Sequence, residues 1–96
     1  MSEPEPELTP EQLIDELKKL KVSDLLVSTI TTLAQLAYAK LEKETRDLDQ
    51  ARMAIDAITA LLPLIEGHVP AELTRDLGKM CANLQLEYAS ATSADL

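Results

Sequence analysis

The sequence predicts an all-α protein, a small bundle of three to four antiparallel helices completed by dimerisation. Three observations lead there. The hydrophobic fraction of 46% is ordinary for a globular chain, but Leu, Ala and Ile supply most of it, with no Trp or Phe and only Tyr38 and Tyr88 as aromatics. That palette suits helices better than sheets. The two glycines, Gly67 and Gly78, leave few positions for the left-handed turns that hairpins need. Successive segments repeat apolar residues at steps of three and four, each opened by a helix-start signature. With 96 residues, one hydrophobic core is expected.

Residues 1–8 read MSEPEPEL, alternating Glu with Pro ahead of any apolar period. Prolines without donors and repelling like charges predict a disordered acidic leader. Residues 9–90 follow as the helical bundle domain, and residues 91–96, small and polar, as a frayed C-terminal tail. The first helix starts at Thr9-Pro10-Glu11-Gln12, where Thr9 caps, Pro10 takes the first helical position and Gln12 closes a capping box. Leu13, Ile14, Leu17 and Leu20 form its narrow stripe, and Lys18, Lys19 and Lys21 place positive charge at the negative end of the dipole. A helix this short cannot stand alone.

The second helix is expected to open on Ser23 as cap, with Val22 and Val27 as a hydrophobic staple, and to run to about Glu44. Leu26, Ile30, Leu33, Ala37 and Leu41 carry its period. The run from Ser28 to Thr32 has low helix propensity, but the flanking 3.6-residue period overrides it, and its hydroxyls are read as solvated or bonded back to their own helix. The third helix shows the clearest pattern: Asp47 as cap with Gln50 in the capping-box position, then Leu48, Ala51, Ile55, Ile58, Leu62 and Ile65. Pro63 predicts a kink or an early stop, and Gly67 the terminator. Pro70 opens the last helix, whose stripe is Leu73, Leu77, Met80, Leu84 and Tyr88, fading after about Ala89.

The net charge of −8 is unevenly spread: residues 1–16 hold six acids (Glu3, Glu5, Glu7, Glu11, Asp15, Glu16) and no base, which leaves −2 on the other 80 residues. The body is therefore close to neutral, and the acidic segment is the candidate docking element for a protein partner with a basic surface.

The stretch LDQARMAIDAITALLPLIEGHVPAELTRDLGKMCANLQLEY resembles the bacterial family catalogued as domain of unknown function 1844. Ala51, Ile55, Asp56, Gly67, Leu73, Leu77, Leu84 and Tyr88 stand at the places of that family's Ala-x-x-x-Ile-Asp helix, Gly turn and Tyr-ended helix. With the hydroxyl-rich second helix, the likeness covers roughly residues 23–89; the chain departs from the pattern at Pro63 and Pro70. The resemblance implies a helical cytoplasmic bacterial protein, some of whose relatives are encoded near translation-factor and ribosomal-protein genes. It implies no activity, cofactor or catalytic residue.

The residues themselves offer little chemistry. The one cysteine, Cys81, follows Met80 on an apolar helix and reads as a small buried hydrophobe; the one histidine, His68, reads as an exposed turn residue. One His and one Cys give no zinc spacing, and no Glu-x-x-His pair is present. Asp56 is the carboxylate to single out, solvated or paired with Arg52. No Gly-rich phosphate loop occurs, and nine bases against seventeen acids lack the footprint of direct nucleic-acid binding. No signal-peptide pattern marks the start, a single cysteine forms no intramolecular disulfide, and Val22 to Leu41 includes Asp24, Gln35 and Lys40, so a cytoplasmic protein without a membrane span is expected.

The expectation is thus a non-enzymatic, cofactor-free helical module that binds protein, first of all a second copy of itself. Leu36, Leu61, Leu64 and Leu86 are the candidates for apolar surface that three short helices without large aromatics leave over. The alternative is an accessory factor docking its acidic N-terminal segment on the translation or transcription machinery.

Overall fold

The computed structural model describes residues 9–94, and the acidic leader expected over residues 1–8 lies outside them. Four α-helices follow in order: α1 (Pro10–Lys19), α2 (Val22–Leu41), α3 (Leu48–Ile65) and α4 (Ala71–Ala94), with a single 3₁₀ turn, Lys43–Thr45, between α2 and α3. No strand occurs among the described residues. The protein is all-α, as its composition and period require.

The start of α1 is the expected capping box in full: the Gln12 backbone N–H donates to Thr9 Oγ1 at 3.1 Å and the Thr9 N–H donates to Gln12 Oε1 at 3.0 Å. The start of α2 differs from expectation. Backbone donors of Asp24 and Leu25 close on the Lys21 carbonyl at 3.1 and 3.2 Å, so the first turn forms around Lys21, and Ser23 lies inside the helix instead of capping it. Val22, 72% exposed, makes no staple.

α2 also stops earlier than its composition suggests, at Leu41. Its last carbonyls are taken from downstream: Thr45 Oγ1 donates to Ala39 O, Arg46 Nη2 to Leu41 O at 3.0 Å, and the Asp47 N–H to Lys40 O at 2.8 Å. These bonds replace a further helical turn and aim the chain into α3, which Asp47 caps by accepting from the Gln50 N–H at 3.2 Å. α3 passes through Pro63 and ends two residues later at Ile65, where Gly67 at φ +81° reverses the chain. Only Gly adopts that conformation without a steric penalty on its Cβ. α4 outlasts its expected fade after Ala89. It continues to Ala94 because Ala91 packs into the core, so the frayed tail foreseen over 91–96 is helical as far as Ala94.

α2 and α3 form an antiparallel hairpin, and α4 lies across one of its faces. The core between them is built from small and branched residues. Ile30, Ala34, Ala37 and Leu41 come from α2; Ala51, Ala54, Ile55, Ile58 and Ile65 from α3; Leu77, Cys81, Leu84 and Ala91 from α4. Alanines at 34, 37, 51 and 54 let α2 and α3 approach closely. α1 packs on none of the other helices. It leaves α2 through Leu20 and Lys21, both in extended backbone (ψ 137° and 136°).

A compact chain of this size has a radius of gyration of about 12 Å; here it is 17.1 Å, and the molecule measures 54 × 43 × 17 Å. The accessible surface is 7382 Å², against about 5,400 Å² for a compact monomer of 10.5 kDa. A projecting α1 and one uncovered face of the hairpin contribute to that excess.

Candidate functional site

The hairpin has two faces, and α4 takes one. Asn83 of α4 donates to the Tyr38 hydroxyl of α2 at 2.8 Å, and Cys81 Sγ lies 3.5 Å from Thr59 Oγ1 of α3. These contacts mark the covered flank. On the opposite flank of α2, Val22, Leu25, Thr29, Leu33 and Leu36 follow at steps of three and four; on α3 the matching row is Gln50, Met53, Ala57, Leu61 and Leu64. The rows meet at both ends. Leu33 and Leu36 line one shallow groove with Met53 and Ala57, and at the other end Val22 and Leu26 line a cleft of about 630 Å³ with Leu64 and His68.

This face is apolar and open. Val22, Leu25, Leu36, Met53 and Leu64 are each about half to three-quarters exposed. Lys21 borders it at the Val22 end, and the rest is poor in charge. Residues 25–39 of α2 contain no Asp, Glu, Lys or Arg, and neither do residues 57–65 of α3. An exposed helix ordinarily carries charges on its solvent side. The hydroxyls on α2 do not restore polarity, because Thr29 and Thr31 donate to the carbonyls of Leu25 and Val27 at 2.8 and 2.9 Å.

Of the expected interface residues, Leu36 and Leu64 lie on the open face and are exposed, and Leu61 lies on it half-buried. Leu86 belongs elsewhere: it stands on α4, 71% exposed, beside Leu41, Asn83 and Glu87. Sequence reasoning passed over Val22, Leu25 and Met53 on this face. The charge-free run over residues 25–39 marks the α2 segment in the sequence, but only the placement of α4 decides which of its flanks stays open.

α1 presents a second unpartnered apolar surface. Leu13, Ile14, Leu17 and Leu20 are 48–61% exposed along one side, and Glu11, Asp15 and Glu16 are exposed on the same helix. Glu3, Glu5 and Glu7 lie outside the described residues.

The reactive side chains are dispersed. Cys81 is a free thiol in the core, and His68 is an exposed turn residue. Asp56 pairs with Arg52 at 3.8 Å with both side chains about 70% exposed, a surface ion pair of small energetic weight. Thr74 Oγ1 is buried without a partner in the first turn of α4. Among the described residues no group of three or more His, Cys, Asp or Glu side chains is placed to hold a metal, and no helix is long and apolar enough to cross a membrane. Compared with known proteins, the chain matches no family model, no curated protein and no solved structure.

Proposed function

We propose that this protein is a non-enzymatic helical interaction module that associates with itself. The observation that carries the reading is the charge-poor apolar face of the α2–α3 hairpin, left open by α4. The solvent side of a helix ordinarily carries charged or polar residues, whereas Val22, Leu25 and Leu36 of α2 are exposed on this face. Contiguous apolar surface beyond a few hundred Å² is a mark of interaction sites. The resemblance of residues 23–89 to an uncharacterised helical family is in keeping with this reading and adds no activity to it. Sedimentation velocity tests it directly: between about 1 and 100 µM, the concentration range of modest interfaces, the mass is expected to rise to that of two chains. A single-chain mass throughout would refute self-association.

A second reading is favoured by α1, which carries three acids and an apolar stripe free of the body. In that reading the protein is an accessory factor whose acidic N-terminal segment docks on a basic surface of the translation or transcription machinery. Such binding weakens as salt rises. Partners recovered with the full chain are compared with those recovered by a Glu11→Gln, Asp15→Asn, Glu16→Gln variant. An unchanged set at unchanged salt would refute it.

A further inference from the structure

We propose that the open α2–α3 face is the contact surface of a two-fold dimer, in which a second copy of this chain lays the same face antiparallel across it. The proposal rests on the self-association reading and adds the surface and the orientation.

The face restricts its occupant. It offers no charge between residues 25 and 39 or between 57 and 65, so a strongly charged partner would lose hydration there without gaining an ion pair. A second copy brings the same charge-poor surface. For a chain of net charge −8, this is also where two copies can meet without acid facing acid.

Size is the second argument. Twenty residues of α2 at about 1.5 Å each, and two helices about 10 Å apart, give a face about 30 Å by 20 Å. Two such faces in contact bury about 1,200 Å², the lower bound for specific stable interfaces. The chain's own α1 cannot substitute. Its ten residues span about 15 Å. Folded back from the two-residue Leu20–Lys21 connection, it would end near Thr32, leaving Leu36 and Met53 open.

Orientation follows from charge. Large side chains occupy both ends of the face, Val22, Leu25 and Leu64 at one and Leu36 and Met53 at the other, and half-buried Leu33 and Leu61 lie between them with Thr29 and Ala57. A parallel dimer would set both copies of α1, with Glu11, Asp15 and Glu16, at the same end. The antiparallel dimer separates these acid-rich segments, and each then lies towards the partner's α2–α3 turn, where Lys40, Lys43 and Arg46 stand among Glu42, Glu44, Asp47 and Asp49. The hairpins then form a buried four-helix layer with one α4 on each outer side.

Two measurements on the full chain test the proposal. In sedimentation, a Leu36→Glu, Met53→Glu variant is expected to lose dimerisation by at least about 100-fold while keeping its helical circular dichroism, because both positions are exposed within one chain and desolvated in the dimer. A Leu17→Glu variant of α1 is expected to dimerise as the parent does. If the double variant stays dimeric, or Leu17→Glu alone abolishes the dimer, the face is overturned while self-association stands; a parent chain that is monomeric at about 100 µM ends both. For orientation, Met53→Cys and Leu64→Cys chains are mixed under mild oxidation. A disulfide between the two species, far exceeding what either forms alone, is expected. Disulfides formed equally well by each species alone would overturn the antiparallel arrangement.

Discussion

Replacing Ile58 with alanine probes the packing on which everything else is mounted. Ile58 is fully buried at the middle of α3, on the face that meets both α2 and α4. Isoleucine-to-alanine changes in cores cost about 2–5 kcal/mol, and the cost rises with the cavity that remains. Here the cavity should persist. Ala34, Ala37, Ala51 and Ala54 bring α2 and α3 close together, and alanine has no side chain to swing into a gap. The upper half of that range, about 4 kcal/mol, is therefore expected. Domains of this size are stable by about 5–14 kcal/mol, so the variant should be severely weakened. Urea unfolding followed by circular dichroism is the assay: with a slope of about 1–1.5 kcal/mol per molar, the midpoint should fall by about 3 M. Parent and variant are compared at one protein concentration, because the proposed self-association would add stability by mass action. Ile58→Val, expected to cost about 1 kcal/mol, grades the effect. A loss under about 1 kcal/mol for Ile58→Ala would refute the close-packed alanine seam.

Gly78 lies inside α4 with nothing near where a Cβ would stand, so Gly78→Ala should raise stability by about 0.5–1 kcal/mol in the same assay. Gly67 has equal space but a φ of +81°, and Gly67→Ala should lower stability by about 1 kcal/mol through backbone strain alone. Thr9→Ala removes the cap of α1; because α1 packs on no other helix, amide exchange should speed up in α1 while the melting temperature of the body stays put. Cys81, 5% exposed, should react with an aromatic disulfide reagent only as fast as the core opens, and its rate in the native protein should lie orders of magnitude below that in urea.

The elements most legible in the sequence are those whose signals are local. Thr9 and Gln12 write the start of α1, Asp47 the start of α3, Gly67 its reversal, and the period from Leu48 to Ile65 its buried side. Signals that depend on a distant residue were not legible. Ser23 has a capping side chain, yet the turn closes on the Lys21 carbonyl two residues earlier; α2 ends at Leu41 because Thr45, Arg46 and Asp47 reach back to its carbonyls. The candidate site divides in the same way. Leu36 and Leu64 stand out in sequence as apolar residues beside a buried stripe, but so does Leu86, and only the placement of α4 decides which flank remains open. Val22, Leu25 and Met53 are exposed for that tertiary reason, which no window of the sequence contains.

α1 makes the strongest case that the single chain is an incomplete unit. Isolated helices shorter than about 12–15 residues are marginal in water even with favourable sequences, and α1 has ten residues and no helix packed against it. Its capping box, its acid at the first turn and its lysines at the last each add stability of about 1 kcal/mol or less. None of these removes four aliphatic side chains from water. Burying Leu13, Ile14, Leu17 and Leu20 on any apolar surface would contribute several times more, at about 25 cal/mol per Å². In the antiparallel dimer the projecting α1 runs towards the partner's far end, where such burial becomes possible without disturbing the hairpin contact. Leu17→Glu would then leave the dimer intact and lower only the protection of α1 amides from exchange. That outcome separates a stripe that rides on the dimer from one that builds it.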